Sequence, residues 1–494
     1  MLSAHRWWRG AATVSVAAAG AAIGGQWLLH VAEPEAPFAP FSLANWVIRR
    51  APPGWATAAI EQLGHNAQRA LATATILAAF GVALVLRRLR APWLAGIAVV
   101  LTVGAAVLDP VPRHSTWTAA AAVVAAGAIL AVHILGGGTQ TPTATGPLAG
   151  RRQFLAAAGL LVTAGVLGAQ ALRQVARQVT AGVVRADRRA HAPRDAAFSG
   201  LAGLSPAVTS RGDHYTVDID LDDPLVDEAS WRLRIGGAVS REVELSLADL
   251  RAMPTVERLA ALACISNPVG GDLVGNSRWT GVPIGAVLRL AGPRPGATFL
   301  EARGADGYAE TLPLTAVDGD DALVAFAMNG ALLPRGHGFP ARLRIPSRYG
   351  IKNVKWLTEL VVLDQGKLGY WGARGWDRDG IVRTQSRIDT PRHGDLVERR
   401  FTAAGIAWAG DRRIARVEVS TDDGATWQPA RLEHETDPLS WRRWRIDLRL
   451  GPGDRPLTVR AVDGRGSSQA PDRTPPHPSG ATGWHRIVVT VSDS

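Results

Sequence analysis

One cysteine, Cys264, serves a chain of 494 residues, so no disulfide can form within it. A Cys-x-x-Cys-His run is missing too, which excludes covalently attached c-type haem. His30, His114 and His133 lie at the borders of apolar segments, an ordinary place for histidine, so haem is not expected as a cofactor. No basic run is interleaved with stacking aromatics, and part of the net charge of +11 belongs to arginines flanking apolar segments. No nucleic-acid partner is therefore expected. Asp, Glu, Lys and Arg are absent from residues 11–31, 70–86, 91–108, 117–135 and 153–172.

Charge-free stretches of this length satisfy the requirement of roughly 17–25 apolar residues per bilayer crossing and predict about five N-terminal transmembrane helices. Arg6 and Arg9, then Arg87, Arg88 and Arg90, then Arg151 and Arg152 fall on one side of such an anchor if the N-terminus is inside. Arg49, Arg50, Arg69 and Arg113 fall on the other, the first three in a loop that also holds Glu33, Glu35 and Glu61. An odd number of spans places everything after residue 172 outside. The expectation is a multi-pass protein of a bacterial cytoplasmic membrane, in contact with membrane lipid, with its catalytic part on the extracytoplasmic side. Arg151-Arg152-Gln153-Phe154-Leu155, after a Gly/Thr/Pro linker at 136–150, looks like a twin-arginine export signal.

At this length two or three domains are expected. The predicted organisation is multi-domain: a membrane anchor at 1–172, a juxtamembrane tether at 173–203, a mixed α+β domain at 204–392 and an all-β Ig-like sandwich at 393–494. In the third region the runs 231–235, 322–327 and 341–345 read as strands. Ser246 with Asp249 three residues on caps a predicted helix at 247–252, and 284–291 reads as a second. Beyond residue 392, strands are predicted at 401–409, 415–420, 441–448, 457–463 and 485–491, punctuated by turns such as Asp422-Asp423-Gly424.

A lone thiol outside the cell is an oxidation liability, which makes the surroundings of Cys264 informative. Leu262-Ala263-Cys264-Ile265-Ser266-Asn267 ends an apolar run, and Gly270-Gly271-Asp272-Leu273-Val274-Gly275 lets backbone approach a bulky group. A soft thiolate in that setting suits a transition metal. Here the chain resembles the sulfite oxidase family of molybdenum enzymes, through Cys264, Asn267, Gly270 and Gly271. His337-Gly338-Phe339-Pro340-Ala341-Arg342, after Asn329-Gly330, and Tyr349-Gly350-Ile351-Lys352-Asn353-Val354-Lys355-Trp356-Leu357 match two further blocks of the family.

The resemblance implies a sulfite-oxidase-like molybdopterin domain, a molybdenum–molybdopterin cofactor and Cys264 as its metal ligand and catalytic residue. It implies cofactor contacts from His337, Arg342, Asn353, Val354 and Lys355, and from Tyr215 and Thr216. The C-terminal region resembles the family's dimerisation domain through Gly405-Ile406-Ala407-Trp408, 417–420 and 423–427, which implies a homodimer. An electron-transfer partner is expected but unidentified.

The family's sulfite-binding cations are largely replaced: one falls at 217–219, another near Val269, and the pocket tyrosine falls at Trp376, while Arg412 retains a third. A desolvated dianion needs such cations, so the expected activity is oxygen-atom transfer on a small-molecule substrate that need not be sulfite, a sulfoxide or N-oxide for example. Trp279, Trp371, Trp376 and Arg412 are candidates to line its pocket. Two alternatives stay open: a Cys264-dependent hydrolase or transferase with His337 as base, and a membrane-tethered binding module that has lost the metal.

Overall fold

In the computed structural model, which describes residues 2–33, 36–52, 55, 59, 66–85, 91–108, 115–137 and 195–493, two compact units form. One holds the N-terminal helices α1 (Leu2–Ala32), α2 (Ala39–Arg50), α3 (Asn66–Val85), α4 (Ala91–Leu108) and α5 (Ser115–Gly137), together with residues 218–225. Small side chains let these helices approach closely: Ala18, Ala22, Leu94, Ala95, Ala125, Ile129 and Val132 make the core of their packing. Two buried polar side chains pair across it, Gln26 donating to the Thr102 hydroxyl at 2.6 Å. His30 is buried between the Ala36 carbonyl and the Asp222 carboxylate, and Arg49 pairs with Asp220.

Among the described residues no helix is long and apolar enough to cross a membrane. This overturns the expected N-terminal transmembrane helices and the multi-pass localisation in a cytoplasmic membrane. A helix packed on its neighbours needs an apolar face, and these segments supply it with small side chains, so the stretches that suggested bilayer crossings build helix–helix seams. The fifth predicted segment, the twin-arginine motif and residues 173–194 of the predicted tether lie outside the described residues.

The other unit holds residues 195–217 and 226–493. Its α+β part has two sheets. β1 (Leu233–Gly237), β2 (Val243–Leu245), β5 (Phe299–Gly304), β6 (Ala309–Pro313) and β10 (Leu357–Leu363) form one in the order β2-β1-β10-β5-β6, with β1 and β10 parallel. β3 (Val256–Ala263), β4 (Val274–Pro283), β7 (Leu323–Met328) and β8 (Ala331–Leu332) form the other in that order, and β9 (Arg342–Arg344) pairs with β7. All of β7 is buried, which is why its sequence is a continuous apolar run without alternation. The two predicted helices fall at α6 (Leu247–Ala252), capped reciprocally by Ser246 and Asp249, and α7 (Ile284–Ala291), ended by left-handed Gly292.

Two sheets then face each other. One runs β11 (Gln385–Thr390), β13 (Arg400–Trp408), β17 (Arg442–Arg449), β16 (Arg431–Leu432). The other runs β12 (Leu396–Val397), β19 (His485–Val491), β18 (Gly453–Asp463), β14 (Ile414–Ser420), β15 (Gln428–Pro429). The chain thus enters this sandwich at Gln385, ahead of residue 393. Ala403, Ala407 and Trp444 from one sheet meet Val417, Leu457, Val459 and Val489 from the other. Trp444 is fully buried with its indole N–H on the Ile406 carbonyl, so Trp444→Ala is expected to cost about 3–5 kcal/mol, read by chemical denaturation.

Candidate functional site

β3 delivers Cys264 to the start of a tight loop. Cys264 N–H bonds to the Leu273 carbonyl at 2.9 Å, and the Asn267 side chain accepts from the Leu273 N–H at 2.9 Å, so asparagine clasps the loop shut. A side chain at Gly271 would strike Asn267, and one at Gly270, where φ is +79°, would strike the His485 ring of the sandwich. The glycine pair therefore gives room to Asn267 and His485. The Cys264 thiol is buried and lies 3.0 Å from the Ser266 hydroxyl.

Beside it stands a group of cations. Arg342 on β9 is buried and joins the two matching blocks: Nη1 donates to the His337 carbonyl at 3.0 Å and Nη2 to the Asn353 carbonyl at 3.1 Å. The Asn353 side chain accepts from the Ile345 N–H and donates to the Tyr349 carbonyl, shaping the turn that carries Val354 and Lys355. Lys355 Nζ donates to the Gly336 carbonyl at 2.8 Å. His337 Nε2 donates to the Arg211 carbonyl at 3.1 Å. Trp279 is fully buried beneath these groups, with the Arg342 and Arg344 guanidinium carbons 5.2 and 5.7 Å from its ring centre. It is a floor under the cations. Tyr215 is half-buried and stacks on His214, while Thr216 is exposed.

The remaining candidates lie on another side of Cys264. Trp376 packs in one apolar cluster with Ala263, Ile265, Tyr349 and Trp371. Arg412 is spent on Asp463, at 2.9 Å, on the Val382 carbonyl and on the Thr384 hydroxyl.

Burial and mutual repulsion act together on the cluster. Burial, followed by His337, Arg342 and Arg344, lowers His214 from 6.5 to about 3. His337 falls to about 4 through burial, Arg342, Lys355 and Arg211. Arg344 falls to about 9 through burial and Arg342. Burial pushes Tyr349 up to about 12, so it keeps its proton at neutral pH. A buried set of cations is what an anionic cofactor such as a pterin phosphate requires, and the residues present suit that group.

Two regions of the chain match known domain families in sequence. Residues 220–371 match the oxidoreductase molybdopterin binding domain, and residues 381–492 the Mo-co oxidoreductase dimerisation domain. Mitochondrial sulfite oxidase of Homo sapiens is 32% identical over 323 residues, which are 54% of this chain and 59% of that enzyme. Sulfite oxidase of Gallus gallus is 31% identical, over 53% of this chain and 69% of its own length. The chain belongs to the sulfite oxidase family. The family implies a molybdenum–molybdopterin cofactor. The chain spans 59% of the length of the human relative. The sulfane dehydrogenase SoxCD of Paracoccus pantotrophus has a similar structure, with a TM-score of 0.51 at 25% identity over 59% of this chain and 85% of that one.

Several residues at the site escaped the reading of the sequence. Arg344 follows Arg342 by two positions on β9, so both point to the same face, and that face is the interior. His214 stands next to Tyr215 and is brought against His337 and Trp279 only by the fold. Glu310 is fully buried and binds Lys352 Nζ at 2.5 Å, the Tyr308 hydroxyl at 3.2 Å and the Trp371 N–H at 3.1 Å. It ties the turn before Asn353 to the tryptophan loop.

Glu310→Gln leaves the buried Lys352 ammonium without its counter-charge and is expected to cost roughly 3–5 kcal/mol in a denaturant titration. A second expectation concerns acid. His214 and His337 bind protons more readily in the unfolded chain, so their contribution is complete above about pH 6.5 and is lost as pH falls through about 4. In thermal melts from pH 7 to 4, H214Q/H337Q should lose less stability than wild type.

Proposed function

We propose that this family member carries out oxygen-atom transfer on a small, uncharged substrate, with the Cys264 thiolate as the protein's ligand to molybdenum. When bound, the molybdenum–pterin group supplies the oxygen transfer and the accompanying two-electron change. The protein's part is to hold and orient. His337, Arg342 and Lys355 with the Asn353, Val354 and Lys355 backbone receive the pterin phosphate, and Tyr215 and Thr216 make outer contacts. The Ser266 hydroxyl can donate to the Cys264 thiolate and favour its charged form. Residues 381–492 support a homodimer, and an electron-transfer partner completes the redox cycle.

The observation that carries the substrate class is the engagement of Arg412 by Asp463. A dianion such as sulfite needs cations with charge to spare, and this one is already neutralised. Trp376 offers instead a buried indole N–H without a protein partner, suited to a neutral S=O or N–O oxygen. Trp371 adds an apolar wall.

The test compares molybdenum and pterin content of wild type and Cys264→Ser from a molybdopterin-producing host. Wild type is then assayed with a dialkyl sulfoxide or amine N-oxide and a reduced viologen, and with sulfite and ferricyanide. Stoichiometric molybdenum in wild type, a changed metal spectrum in the variant and turnover of the neutral oxides are expected. Efficient saturable sulfite oxidation would overturn the substrate class. Absence of molybdenum from wild type would overturn the enzyme reading itself.

A further inference from the structure

Arg344 lies just beyond the block that ends at Arg342 and is the most enclosed cation of the cluster, 1% exposed. Its Nη2 donates to the Ala261 carbonyl, on β3 three residues before Cys264, and its Nη1 reaches the Asn353 side chain at 3.4 Å. Its Nε is buried with no hydrogen-bond partner, and no carboxylate among the described residues pairs with it. A guanidinium enclosed without a carboxylate is costly, and two hydrogen bonds and the Trp279 ring offset that cost only in part. His214 shows the same deficiency. It is 4% exposed, lies edge-on to Trp279 at 5.8 Å and to His337 at 5.3 Å, and its Nε2 has no partner. Two enclosed nitrogens left open around one tryptophan floor call for a polar group supplied from outside the chain.

We propose that Arg344 and His214 bind the heterocyclic part of the pterin, in addition to the phosphate contacts made by His337, Arg342 and Lys355. The pyrimidine edge of a pterin presents a carbonyl oxygen and ring nitrogens as acceptors and an amino group as donor. Arg344 Nε–H matches the acceptors, and His214, whose Nδ1–H donates to the Tyr215 carbonyl at 3.2 Å, presents Nε2 as an acceptor to the amino group. The placement of Arg344 between β3 and Asn353 sets this contact between the Cys264 strand and the turn that carries Lys355. The inference rests on the reading of Cys264 and its neighbours as the molybdenum–pterin site.

A purely structural Arg344 and a cofactor-holding one differ in what its loss does to the empty protein. Wild type, Arg344→Met, Arg344→Lys and His214→Phe are produced in a molybdopterin-producing host. Their pterin and molybdenum are measured per chain, and pterin release is followed after dilution. The same chains from a host without molybdopterin are melted thermally. Arg344→Met should lose pterin about tenfold faster, the scale of one hydrogen bond to a charged group, while its cofactor-free form melts at or above wild type because the enclosed charge is gone. Arg344→Lys should release at an intermediate rate, and His214→Phe faster than wild type. A markedly lower melting point for cofactor-free Arg344→Met would make the residue structural and overturn the proposal. Equal pterin content and release in wild type and Arg344→Met would overturn this contact alone, whereas wild type without pterin would overturn the oxidoreductase reading with it.

Discussion

Enclosure of several basic side chains in one closed interior is the constraint on which this site depends. Arg342 sits at its centre, its guanidinium bridging the carbonyls of His337 and Asn353 and so fastening the turns on either side of β9. Around it His214, His337 and Arg344 are each pushed toward the uncharged form by burial and by the charge of Arg342. Burial of basic groups so close together is the setting in which an anion would be held most strongly. Cofactor affinity and the stability of this region are therefore two readings of one free energy, because whatever binds the folded state alone stabilises it.

Acids elsewhere in the unit set the contrast. Lys352 is matched by Glu310 and Arg412 by Asp463, each pair well enclosed. Matched charges hold backbone in place but exert little field on a ligand; unmatched ones do the reverse. The chain thereby gives its site a basic side, suited to an anionic cofactor, and an apolar side near Trp371 and Trp376. Glu310 spans the division, since it grips the turn before Asn353 with Lys352 and the tryptophan loop through the Trp371 N–H.

The sandwich takes part in this arrangement. His485 presses against Gly270 in the loop after Cys264, and Ile406, Trp408 and Trp441 share an apolar cluster with Ala263, Ile265 and Trp376. Loss of a glycine there would act on the cysteine loop through the sandwich, so the two family regions behave as one mechanical unit around the thiol.

What the sequence determined by itself was local. Capping chemistry at Ser246 and Asp249 located a helix, turn residues delimited the sandwich strands, and the spacing of Cys264, Asn267, Gly270 and Gly271 identified the thiol loop. What only the tertiary structure decided was which face of an element is the interior. Arg342 and Arg344 alternate with apolar residues as a half-exposed strand would, yet both are buried, because packing on both sides closes over them. Trp279 had the composition of a pocket wall and became the floor beneath two guanidiniums. Arg412 kept its place in the sequence and lost its free charge to Asp463, 51 residues away. The N-terminal segments show the same limit: an apolar face is needed alike by a helix in lipid and by a helix against other helices, and composition does not distinguish the two environments. Periodicity and spacing report what a residue can do, whereas burial, charge pairing and the identity of the neighbour depend on chain that is distant in sequence.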